Sequence, residues 1–140
     1  MTEEEKVRAL VAYRLEQADE ALRSAQTNLE HGMERSAVNR AYYAMFYAVL
    51  ALLATRRKET SRHSGVLSLF DREFVKAGVF SKDLSRWLHE AFNLRQSADY
   101  GTRFTPSSDA VRELVTNART FVSGVEAHLD TTSGGDEPKS

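Results

Sequence analysis

Side chains capable of chemistry gather at a few places in an otherwise apolar pattern. One group is Asn39, Arg40, Tyr43 and Tyr47, in which Arg40, Tyr43 and Tyr47 fall about one and two helical turns apart and form a single polar-aromatic stripe. A second is Arg95, Asp99 and Tyr100, with Arg95 and Asp99 at the spacing of an ion pair along one helix face. A guanidinium is a permanent cation with a planar fork of donors, suited to a phosphate or a carboxylate. The same residues also have a plain structural use. Arg and Asp one turn apart often make only a modest surface ion pair, and tyrosines on a core helix often anchor a hydroxyl at the bundle edge. A third group is the run 55–64, TRRKETSRHS, where Arg56, Arg57 and Arg62 surround His63. No phosphate-cradling glycine loop, zinc-type histidine pair or nucleophile elbow is present, and the pattern calls for no cofactor and no metal. His31, His89, His128 and Trp87 read as structural or solvated residues.

The element that must position these groups is 36–53, SAVNRAYYAMFYAVLALL. Alanines at 37, 41, 44, 48 and 51 recur at helical steps and leave one side smooth enough for a second helix to approach closely. Tyr42, Phe46, Val49 and Leu53 line one flank, and Tyr43, Tyr47 and Leu50 the other, so the helix belongs inside a bundle. Its uncharged run lies between Arg40 and Arg56, the length of a buried helix rather than a membrane span, and no membrane association is expected.

The rest of the chain supports the same architecture. At 140 residues and 41% hydrophobic content it has the size and character of one domain with a real core. A formal charge of -1 excludes the strongly basic average of a protein that coats nucleic acid, so any such binding must be local. The absence of cysteine and of a basic-then-apolar leader makes a reducing cytoplasm the expected location. A first amphipathic helix runs from a Thr2 cap to a stop at Gly32, and a short connection makes it a hairpin with the 36–53 helix. The run 55–64 reads as an exposed connection. A third helix carries Val66 to Val75 and stops at Gly78, and a fourth starts at Ser81 and presents Leu84, Trp87, Leu88 and Ala91 inward. Thr105 followed by Pro106 marks the start of a fifth, reaching Leu129. The fold class is all-α: an up-and-down antiparallel bundle of four long helices plus one shorter helix over residues 1–130, with a flexible tail at 131–140.

Four phrases in order, Asn39 to Ala48 (NRAYYAMFYA), His63-Ser64-Gly65, Phe74 to Gly78 (FVKAG) and Arg95 to Tyr100 (RQSADY), resemble the HEPN family, the higher eukaryotes and prokaryotes nucleotide-binding domain. The resemblance covers nearly the whole chain apart from the tail. It implies a helical bundle, usually dimeric, often encoded beside a small nucleotidyltransferase in a toxin-antitoxin or defence pair. Active members are metal-independent ribonucleases that place an Arg, a short spacer and a His at a helix end, facing a second copy across the dimer. The arginine fork grips phosphate oxygens, and the imidazole, titrating near neutrality, moves the 2′-hydroxyl or leaving-group proton.

This chain keeps the Arg and lacks the His: Arg95 is followed by Gln96, Ser97, Ala98, Asp99, Tyr100, Gly101 and Thr102. His63 reads as a loop histidine capping the third helix, and it is also the candidate substitute, brought to Arg95 or Tyr100 within one protomer or across a homodimer. Otherwise the domain binds RNA or nucleotide without cutting it. By this resemblance Arg95 binds phosphate, Asp99 orients Arg95 or His63, and Tyr100 contacts the substrate or is itself modified by the partner. Arg40, Tyr43, Arg57 and Arg103 complete a phosphate-binding rim, with Arg57 and His63 also standing at the Arg-spacer-His distance. The rival reading is a non-catalytic helical interaction module that docks a protein partner.

Overall fold

The computed structural model describes the backbone of residues 1–100 and 106–135, and the side chains of 1–98 and 106–132. Among the described residues five α-helices follow in order: α1 Glu3–Glu30, α2 Glu34–Thr55, α3 His63–Phe70, α4 Lys82–Tyr100 and α5 Ser108–Gly135. One π-helical turn, Asp71–Val75, continues α3. No strand occurs among the described residues, and the chain is all-α.

Local chemistry sets the helix ends. Thr2 caps α1 through a reciprocal box, its Oγ1 accepting from the Glu5 backbone N–H at 3.1 Å while Glu5 Oε1 accepts from the Thr2 N–H at 3.1 Å. Gly32 ends that helix at φ 71°, a left-handed conformation in which a side chain is strained. The start of α5 differs from the sequence expectation. Ser107 is the cap, with its Oγ accepting from Ala110 N–H at 3.1 Å, and Pro106 stands ahead of the helix rather than in its first turn. Thr105 lies outside the described residues.

Helix α2 is the axis of the bundle. Its alanines 37, 41, 44, 48 and 51 are fully buried, as are Val38, Tyr42, Met45, Val49 and Leu52. It is also the one helix among the described residues long and apolar enough to cross a membrane, and 72% of its apolar window is buried against the other helices. Leu88 and Ala91 from α4, and Val111, Ala118, Phe121, Val122 and Val125 from α5, close the core around it. Leu84, Trp87 and Leu94 pack at its rim, half-buried.

Side-chain contacts fix the direction of each helix. Ser108 Oγ donates to Glu34 Oε1 at 3.0 Å, so α5 begins beside the start of α2 and runs with it. Arg95, near the end of α4, meets Tyr42 and Tyr43 in the first half of α2, so α4 runs against it. The four long helices therefore alternate in direction. The short α3 is the exception: His63 at its start touches Tyr42 and Phe46, while Phe74 just beyond its end lies 4.6 Å under the Arg56 guanidinium. It runs parallel to α2, which requires residues 56–62 to travel back along α2 as an exposed strap. Gly65 permits this return, since a Cβ there would stand 2.7 Å from Thr60 Oγ1.

Candidate functional site

The strap decides what meets Tyr42. Tyr42 and Tyr43 are neighbours on α2, and Phe46 follows one turn later, so three rings crowd one part of the helix surface with Tyr42 to Tyr43 centroids 5.2 Å apart. Into that patch comes His63, the first residue of α3 rather than a member of the connection. Its ring stacks on Phe46 at 4.3 Å, lies near Tyr42 at 5.8 Å, and meets Tyr43 edge-on at 5.7 Å. The Tyr42 hydroxyl and His63 Nδ1 are hydrogen-bonded at 2.9 Å.

Arg95 reaches the same tyrosines from α4. Its Cζ stands 5.1 Å from the Tyr42 ring centre and 5.5 Å from that of Tyr43, and its Nη1 donates to the Tyr43 hydroxyl at 3.4 Å. Aromatic faces hold a guanidinium through the ring quadrupole. Arg40 contributes a second cation, with its Cζ 5.1 Å from the Tyr43 ring centre and its Nε donating to Asn39 Oδ1 at 3.0 Å.

The surroundings set the protonation states. Burial, and next the positive field of Arg95, hold the His63 imidazole below its ordinary value of 6.5, so it is neutral at pH 7. Burial raises Tyr42 well above the usual phenol range, against the opposing pull of Arg95, so it stays a phenol. A neutral imidazole bonded to a phenol has two tautomers. Where Nδ1–H donates to the Tyr42 oxygen, Nε2 carries a lone pair that can accept a proton. Beside it stands a fixed cation that can neutralise a phosphate.

Of the residues singled out by the sequence, Arg95, His63, Tyr43 and Arg40 are thus gathered on one face. Arg57 is not among them: it lies just past the last residue of α2, exposed, at φ 54°, and about 20 Å along the helix axis from Tyr43. Asp99 and Tyr100 close α4, their side chains outside the described residues, and Arg103 is outside them altogether. Tyr42 is the functional candidate that sequence reading assigned to the core flank. Nothing in the local pattern separates it from Phe46, because its partners arrive from α3 and α4.

Comparison with known proteins places this chain in a family. The HEPN domain model matches residues 11–128. A Thermotoga maritima protein, "UPF0332 protein", is 38% identical over 93% of this chain and 96% of its own length. Two Methanocaldococcus jannaschii proteins are similar as well: "Putative toxin MJ0605", 34% identical over 89% of this chain and 90% of its own, and "Putative toxin MJ0142", 32% identical over 82% and 78%. Matches of this length, together with the helical bundle, assign the chain to a family: it belongs to the HEPN family.

Proposed function

We propose that this chain is a HEPN-type toxin that binds RNA through Arg95 and cleaves it without a metal, with His63 supplying the imidazole absent after Arg95. The observation that carries this reading is that His63 and Arg95 stand against the same two rings, Tyr42 and Tyr43, although they come from different helices. The names of the two archaeal relatives support the toxin role.

In the proposed step Arg95 binds the non-bridging oxygens of a phosphodiester. The His63 Nε2 accepts the 2′-hydroxyl proton, the 2′-oxygen bonds to phosphorus, and the bond from phosphorus to the 5′-oxygen breaks. The leaving oxygen takes a proton from the imidazolium, and a 2′,3′-cyclic phosphate remains. Tyr42 holds the imidazole and Tyr43 the guanidinium. Asp99 and Tyr100 retain the roles the family resemblance implies, orientation of the cation and contact with substrate or partner. The protein acts as a homodimer in the cytoplasm, neutralised by a nucleotidyltransferase partner.

Cleavage of a mixed RNA pool in excess chelator tests this directly. The wild type is expected to cut, and Arg95→Ala and His63→Ala each to lose at least 100-fold in rate, as expected for groups that meet the transition state. An inactive wild type transfers the weight to a binding or partner-docking domain.

A further inference from the structure

A groove beside the Arg95 site has no part in the cleavage step. It is a shallow depression, open to solvent, of about 510 Å³ where α1 ends, α2 begins and α4 nears its last turn, lined by Asn28, Arg35, Ser36, Asn39, Arg40 and Ala98. Among the described residues its lining is two guanidiniums, two carboxamides and a hydroxyl, a donor-rich set that suits an oxyanion.

Two features join the groove to the candidate site. Ala98 stands one helical turn beyond Arg95 on α4, so the wall of the groove continues the helix face that carries Arg95. The Tyr43 ring is shared: Arg40 is 5.1 Å from its centre and Arg95 is 5.5 Å. Two cations held on one ring make a cationic track with an aromatic platform, which is how proteins follow a single strand. Arg40 is also preset. Its bond to Asn39 uses Nε and leaves the terminal nitrogens to a ligand.

From this arrangement we infer that the groove is a second phosphate subsite, so that the ligand is an RNA strand gripped on two successive phosphates rather than a mononucleotide. This rests on reading Arg95 as the residue that binds the scissile phosphodiester. The groove supplies affinity and register, while the proton transfers remain with His63.

Titration calorimetry on the full chain with three uncleavable probes tests the subsite. The parent is a 2′-O-methylated uridylyl-adenosine with one phosphodiester, and the other two carry an added 5′- or 3′-terminal phosphate. One terminal phosphate is expected to tighten binding at least tenfold over the parent. That gain should disappear in Arg40→Gln, and equally in Ser36→Asp, which puts a carboxylate in the groove without touching the Tyr43 ring. Arg95→Gln should weaken all three probes. Parent binding with no gain from either phosphate, or a gain that survives both groove variants, overturns the second subsite and leaves the Arg95 site standing. Failure of all three probes to bind removes the RNA reading itself, and the subsite with it.

Discussion

The Tyr42 hydroxyl and His63 Nδ1 lie 2.9 Å apart, and this one bond ties the first half of α2 to the first residue of α3. Tyr42 is fully buried, so its hydroxyl has no solvent to fall back on, and the imidazole is the partner that satisfies it. Tyr42→Phe keeps the ring and removes the bond. A stability loss of about 0.5–1.5 kcal/mol is expected in chemical denaturation. RNA cleavage should fall more than that loss explains, because the imidazole is no longer held in orientation. Unchanged cleavage in a folded Tyr42→Phe protein counts against any role for the bond in catalysis.

The same imidazole should report its neighbours through its titration. Burial and the Arg95 charge both lower its folded pKa below 6.5. The unfolded chain therefore binds more protons than the folded one around that pH, and His63 removes stability as pH falls below 6.5 toward its folded value. NMR titration of the His63 ring protons should give a midpoint below 6.5, and Arg95→Gln should move it upward by removing the repulsive charge. Cleavage, which needs the neutral imidazole as base, should fall on the acid side with that same midpoint. An Arg95→Gln variant with an unmoved His63 midpoint would separate the two groups electrostatically.

Gly65 and Thr60 should behave as a coupled pair. A methyl group at 65 meets Thr60 Oγ1 at 2.7 Å and Thr60 Cγ2 at 3.0 Å, so Gly65→Ala pushes on the strap that delivers His63. Overpacking of this kind costs roughly 1–3 kcal/mol. Thr60→Ala removes both of those atoms, so the double variant should recover most of the loss, a coupling that a double-mutant cycle measures. Additive losses would mean that the strap is not pinned at this contact.

Asp71 in the π-helical turn clasps α4 by accepting from Ser85 Oγ at 2.7 Å and from His89 Nε2 at 2.7 Å. The side chains of Asp71 and His89 are 36% and 45% exposed, which limits what the clasp contributes. Asp71→Ala should lower stability by about 1 kcal/mol and leave RNA binding at Arg95 within twofold, since the clasp stands apart from Tyr42 and Tyr43. A large loss of RNA binding in this variant would show that the π turn positions the site.

Much of this was legible in the residues themselves. The alanine ladder of α2, the Thr2 cap and the stops at Gly32 and Gly78 are local signals, because helical period, capping and positive φ are decided within a few residues. The stripe of Arg40 and Tyr43, and the spacing of Arg95 and Asp99, were visible for the same reason. What the local pattern left open was the company each residue keeps. Arg57 and His63 have the family's sequence spacing, yet Arg57 stays at the far end of α2 while His63 is carried back to Tyr42. Periodicity says which face of a helix is apolar. It does not say which level of a neighbouring helix that face will meet, since that depends on the return of the 56–62 strap and on the packing of α3 and α4 against α2. Sequence alone determined the helices, the family resemblance and the cation at Arg95. Only the tertiary structure placed an imidazole beside that cation, because their shared contact is with two tyrosines distant from both in the chain.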